Sequence, residues 1–318
     1  MRANPALASA QCAHGVLLVR PARFGHNSQT APSNPFQQPA TLPDTAARAR
    51  SEFDSLCGGL EAAGVRVCVV DDTAEPAKPD AVFPNNWVSF HRDGTVVLYP
   101  MQASNRRAER RTEVLAAVEM GLGFHRRRLI DLRDHEQHGR MLEGTGSLVL
   151  DHVQRVAYAC RSARTDESVV REWSKLINYD PVLFDAQGGD GVPVYHTNVL
   201  LSIGARWAVV CADAIVEHDR ARVLQRLRDS GRDVVAISAQ AMADFAANIL
   251  ELRGRDPHGG AHSVLALSQR ARAALQGLHP AWDTLRGCVD TVVAAAVPTI
   301  EAVGGGSVRC MLAEVPET

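Results

Sequence analysis

Three residues of the kinds that build a nucleophilic centre stand out in this sequence. Cys310 follows three glycines in GGGSVRCM, His196 and its neighbours precede an apolar run in VYHTNVLLSIG, and Glu143 precedes Gly144 in LEGTGSLVL. Taken singly, each has an ordinary structural use: a small buried thiol, a strand-end imidazole, an acid in a turn. Together they meet a chemical need. A sulfur nucleophile wants a base, and an imidazole base wants a carboxylate to fix its tautomer. Their order along the chain is immaterial, because such centres are defined by geometry. Glycines 304–306 permit close backbone approach and positive φ, which suits a cramped mouth around a ligand.

A second cluster lies in DAVFPNNW, residues 80–87, where Asp80, Asn85 and Asn86 sit among aromatics. Neither a helical period nor strand alternation asks for this mixture. One use for adjacent asparagines is to close a turn. Another is ligand binding, since each amide offers both a donor and an acceptor. Asn198, two residues after His196, is a further amide of this kind.

Residues this far apart need a scaffold that brings them together. The chain repeats a β-branched strand, a polar loop and an amphipathic helix. TVVLYP (95–100), RVAYAC (155–160), WAVVCA (207–212) and SVLALS (263–268) each precede a helical run, and Val96, Val156, Val209 and Val264 recur at steps of 60, 53 and 55 residues. GVLLVR (15–20) opens a fifth unit, closed by the final segment SVRCMLAEV (307–315), which is read as the strand that carries Cys310. ERRTEVLAAVEMG places Val114, Leu115 and Val118 on one helical face and is read as ending on Gly121. A period of this size predicts stacked or ring-closed α/β units whose loops converge on one centre.

Composition excludes other classes. The 318 residues are 46% hydrophobic and 22% charged, which is globular rather than disordered. A net charge of -2 gives no general attraction to nucleic acid or an anionic membrane, and Arg126–Arg128 reads as a solvated face. No apolar run is long enough to span a bilayer. Seven cysteines without a CxxC pair argue against a disulfide framework or a zinc site and for a reducing cytoplasm. HExxH and GxxxxGK[ST] are absent, and Gly121-Leu122-Gly123 is too little for a dinucleotide loop, so neither metal nor cofactor is expected. Residues 1–13 are expected to form a flexible tail, and residues 14–318 a single catalytic domain. The expected partner is a small amino-acid substrate. Homo-oligomerisation is left open.

The motifs resemble the guanidino-group-modifying (pentein) superfamily, which includes arginine deiminase, dimethylargininase and amidinotransferases. GGGSVRCM is similar to the arginine deiminase nucleophile strand, LEGTGS to its Glu-Gly-Gly-Asp segment and YHTN to its His-x-Asp segment. DAVFPNNW resembles the Asp-x-x-Phe-x-acid-Asp segment of bacterial dimethylargininases. RPARFGHNSQTAPSNPFQ (20–37) and LYPMQASNRRAERR (98–111) resemble an arginine-deiminase-related branch associated with citrulline utilisation. The resemblance implies a five-bladed α/β propeller of pseudo-fivefold strand-strand-helix repeats. It implies Cys310 as nucleophile, His196 as general acid/base and Glu143 as the orienting carboxylate. Asp80 would bind the planar group, and Arg106 and Arg164 would clamp an α-carboxylate through bidentate forks.

The departures from the family pattern bear on the substrate. Asn85, Asn86 and Asn198 stand where relatives carry acids, so the site loses anions that would grip a guanidinium. A unit charge pair at about 4 Å is worth roughly 4 kcal/mol at an effective dielectric near 20. The sequence therefore favours a neutral ureido substrate, citrulline first, with a guanidine hydrolase of deiminase or dimethylargininase type as the alternative. Amidine transfer and non-catalytic amino-acid binding are the remaining readings. The Pro/Asn/Gln-rich stretch after Arg20 is a candidate lid.

Overall fold

The computed structural model describes residues 10–40, 43–189 and 191–318. Five three-stranded sheets form the frame, and each is built alike. A short inner strand runs antiparallel to a middle strand, a helical crossover follows, and an outer strand returns parallel to the middle one. In one blade these are Val88–Phe90, Thr95–Leu98 and Arg128–Asp131, with the helix Thr112–Leu122 in the crossover. The next three blades have middle strands Val156–Cys160, Trp207–Val210 and Ala261–Ser268. The fifth has Gly15–Arg20 in the middle, and its inner strand is Ala313–Val315 from the far end of the chain. The two ends of the chain are thus joined through one ladder. This is the expected five-bladed α/β propeller, with an outer strand added to the strand-strand-helix unit that the resemblance implies.

The sequence signal for the middle strands has a direct cause. Val156–Cys160 and Trp207–Val210 are buried along their whole length. Strands covered on both faces read as continuous apolar runs rather than as alternations. Helices cover the outside. Val114, Leu115 and Val118 are buried, and the helix runs one residue past Gly121 to Leu122, where Gly123 at φ 69° supplies the left-handed cap. Asp166 caps the helix Glu167–Ile177 by accepting from the backbone of Ser168 and Val169, and that helix buries Trp173 completely.

Inner strands of neighbouring blades abut around the axis, as Val149–Asp151 does with Leu201–Ile203. One end of the axis is stoppered by Gln11, whose Nε2 donates to Leu150 O at 2.9 Å and whose Oε1 accepts from Arg232 at 3.2 Å. Within the segment expected to be a tail, Gln11, Cys12 and Ala13 are buried, while residues 1–9 lie outside the described residues. All seven cysteines are buried and unbridged. No helix among the described residues is long and apolar enough to cross a membrane.

Candidate active site

The opposite end of the ring carries polar residues at equivalent places. Asn86 precedes the inner strand at Val88, Ser147 that at Val149, Asn198 that at Leu201, Asn248 that at Leu250, and Cys310 that at Ala313. Four of these residues sit on single helical turns: Pro84–Asn86, Gly144–Ser147, Thr197–Val199 and Val308–Met311. Cys310 is therefore not on a strand, as the sequence suggests, but on a turn whose Cys310 N–H donates to Ser307 O at 2.9 Å. The turn lifts the sulfur off the sheet ladder toward the axis.

The three residues picked from the sequence meet here. His196 Nε2 lies 2.9 Å from Glu143 Oε2, and both side chains are buried. Burial favours a protonated Glu143, but the Arg164 guanidinium and the His196 hydrogen bond outweigh it and hold the carboxyl well below its usual range. Burial pushes His196 down to about 4 despite Glu143, with Arg164 and Arg106 pushing the same way. At neutral pH the pair is a carboxylate and a neutral imidazole. A carboxylate can only accept, so Nε2 carries the proton and Nδ1 is left as the base. Gly146 makes the arrangement possible: a β-carbon there would lie 2.7 Å from His196 Nδ1 and 2.5 Å from Asn86 Nδ2.

Cys310, His196, Asp80, Asn86, Arg106 and Arg164 border one cavity of about 20 Å³, with Tyr195 and Gly304–Gly306 among its other lining residues. That volume holds about one water molecule. Asp80 Oδ2 accepts from Asn27 Nδ2 at 2.8 Å and Thr30 Oγ1 at 3.0 Å, while its Oδ1 is buried without a partner. Asn86 Oδ1 accepts from Arg106 Nη1 at 2.8 Å, and its Nδ2 is likewise buried and unpartnered. Asn85 is fully buried behind this wall, where its backbone oxygen accepts from Thr145 Oγ1 at 3.4 Å. Asn198 lies under the sulfur, its Nδ2 3.6 Å from Cys310 Sγ.

Both arginines are buried rather than on the surface. Arg106 faces inward: Nε and Nη2 donate to Glu109 at 2.9 and 3.0 Å, and Nη2 also reaches Phe83 O at 3.2 Å. Burial pushes Glu109 up to about 7 against the pull of Arg106. Arg164 lies 4.9 Å over the Tyr195 ring and donates to Glu143, Ser33 and Thr30 O. Its strap partners belong to the stretch read as a candidate lid. That stretch is pinned across the cavity by Asn34 Nδ2 to Gly305 O at 3.2 Å and Gln37 Nε2 to Gly304 O at 3.0 Å. Gly305, at φ 63°, packs where a β-carbon would meet Asn34 Nδ2 at 2.6 Å.

Sequence reasoning missed Asn248, whose Nδ2 lies 3.2 Å from Cys310 Sγ, and Tyr195, whose hydroxyl donates to Gly305 O at 2.9 Å. Elsewhere among the described residues, Asp185, His218 and Asp219 have metal-ligand spacing, but the Asp219 oxygens already accept from Arg222 and the Asp185 backbone.

The profile of the family described as "N,N dimethylarginine dimethylhydrolase, eukaryotic" matches residues 20–317. The chain belongs to the N,N dimethylarginine dimethylhydrolase family. With that family it falls in the pentein superfamily. No protein of curated function matches the sequence significantly. Solved structures share the fold of this dimethylarginine dimethylhydrolase family member. ArgZ, an arginine dihydrolase from the ornithine–ammonia cycle in cyanobacteria, superposes with TM-score 0.70 at 17% identity over 96% of this chain and 41% of its own. The chain thus spans less than half of full-length ArgZ, yet matches 98% of the isolated N-terminal domain of ArgZ bound to substrate. A dimethylarginine dimethylaminohydrolase superposes with TM-score 0.64 at 14% identity over 96% of this chain and 100% of its own.

Proposed function

We propose that the chain hydrolyses the planar terminal group of an arginine-type amino acid, with a guanidino substrate first. The observation that carries this reading is Asp80, a buried carboxylate that borders the Cys310 cavity with Oδ1 unpartnered. A guanidinium brings N–H donors and a positive charge, and Asp80 is placed to receive both. The family match and the arginine-acting proteins of the same fold support the same choice.

In this mechanism the Cys310 thiolate attacks the central carbon. His196 Nδ1 takes a proton from a retained N–H of the attacked guanidinium and passes it to the departing amine, and the carbon stays bonded to sulfur. Nδ1 of His196 then takes a proton from water as its oxygen attacks that carbon, and the carbon–sulfur bond breaks to return the thiolate. Glu143 holds the imidazole in one tautomer through both steps. Asn86 Nδ2 serves the planar group from the amide side, while Asn198 lies under the sulfur. Arg164 is the residue suited to an α-carboxylate, because its guanidinium is held by the strap that must shift for a substrate to enter a cavity of about 20 Å³. Arg106 instead braces Asn86 and the turn at Asp80–Phe83.

A second reading, citrulline to ornithine, ammonia and carbon dioxide, is favoured by one observation. Asn86 Nδ2 is an unpartnered buried donor at the same cavity, and a ureido oxygen would satisfy it where a guanidinium offers no acceptor. Purified protein offered arginine, dimethylarginine and citrulline, with ammonia, citrulline and ornithine measured, separates the two. Citrulline formed from a guanidine supports the first reading. Turnover of citrulline alone overturns it in favour of the second.

A further inference from the structure

We propose that Asn248 is a catalytic residue: with Asn198 it forms a two-amide cradle that holds the Cys310 sulfur as a thiolate aimed into the pocket. This rests on the nucleophile proposed above and adds what activates it. Asn248 is fully buried on the segment leading into the strand Leu250–Arg255. Its Nδ2 donates to Cys310 Sγ at 3.2 Å and to Asn198 O at 3.4 Å. Asn198 Nδ2 donates to the same sulfur at 3.6 Å and to Thr145 O at 3.3 Å. The oxygen of each amide is turned away from these bonds, so both asparagines present N–H to sulfur. Donation to an ionised acceptor is roughly twice as strong as to a neutral one, so the cradle favours thiolate over thiol.

The common activator of a catalytic thiol is an imidazolium, and this site is not arranged for one. His196 is buried with its Nε2 on Glu143, and burial keeps the ring neutral at working pH. The ionisable groups bordering the sulfur cavity are Asp80, Arg106, Arg164, Tyr195 and His196. Both arginines are bonded away from the sulfur, to Glu109, Asn86, Glu143 and the strap. The bonds that reach Sγ come from neutral amides. Their effect runs through the whole cycle. When sulfur bonds to carbon its charge leaves the cradle, and when water displaces it the cradle takes that charge back, which makes the sulfur a better leaving group.

The test is the pH dependence of Cys310 alkylation by iodoacetamide without substrate, read by peptide mass spectrometry so that the other six cysteines are resolved. Asn248→Leu keeps a comparable volume and removes the donor without adding a charge, and Asn248→Ala removes the side chain. Each is expected to raise the alkylation midpoint by about one to two pH units, a fall of roughly 10–100-fold in thiolate fraction near neutrality. His196→Ala is expected to leave the midpoint in place. Thermal unfolding of each variant establishes that it is folded. An unchanged midpoint in folded Asn248→Leu overturns the proposal. So does a rise in His196→Ala equal to that expected for Asn248, which keeps the test decisive if the Asn248 variants do not fold. Failure of the underlying reading has a different signature: substrate turnover surviving in Cys310→Ser.

Discussion

Restoring an acid at residue 86 is the sharpest probe of how the pocket chooses between charged and neutral planar groups. Asn86 Oδ1 already accepts from Arg106 Nη1 at 2.8 Å, so Asn86→Asp keeps that bond. It also converts the unpartnered Nδ2 into a carboxylate oxygen without changing the volume. The pocket gains a negative charge beside the bound group. A unit pair at about 4 Å is worth roughly 4 kcal/mol at an effective dielectric near 20. The new carboxylate is partly neutralised by Arg106 and loses hydration, so about a third to a half of that survives as selectivity. This is about 1.4–2 kcal/mol, or roughly 10–30-fold. The assay is kcat/KM for arginine and for citrulline, by ammonia release, in the parent and the variant. The arginine-to-citrulline ratio is expected to rise by that factor. A ratio that stays constant or falls in a folded variant refutes the charge argument.

Further outcomes follow from the buried ion pairs. Because His196 is held near 4, the acid limb of kcat/KM that it controls is expected near pH 4 rather than at the ordinary histidine value of 6.5, and Glu143→Gln, which frees the imidazole tautomer, should lower kcat by about 10²–10⁴-fold. Arg106→Met strands Glu109 in the interior and should cost about 3–5 kcal/mol at neutral pH, measured by denaturant unfolding. In the parent protein native stability should itself rise as the pH falls from about 7 toward 4.5. The folded, buried carboxyl holds its proton across this window while the unfolded one gives it up, so native stability rises as pH falls.

What could be read from sequence follows from what kind of interaction each residue makes. The middle strands were legible because burial on both faces leaves uninterrupted apolar runs such as VAYAC and WAVV. Cys310, His196 and Glu143 were legible because few other combinations give a nucleophile, a base and an orienting acid. The burial of residues 11–13 is not legible because its anchor is remote: Gln11 bonds to Leu150, 139 residues away, and nothing local announces it. Arg106 was recognisable as a cation, but that its donors turn inward to Glu109 is a matter of packing. Asn248 escaped notice because FAANILEL reads as an apolar approach to a strand. The usable signal was positional, since Asn248 precedes its inner strand by the same two residues as Asn86 and Ser147. Cys310 was given to a strand because SVRCMLAEV alternates acceptably, whereas the backbone makes one helical turn before the ladder begins at Ala313.

The most direct measurement is the mass of the Cys310 peptide from protein quenched in acid during turnover of arginine or citrulline. A mass increase on that peptide, equal to the substrate carbon with its retained nitrogen or oxygen substituents and formed at a rate matching turnover, is the predicted result. Full turnover with no adduct on Cys310, together with undiminished activity in Cys310→Ser, would contradict the account.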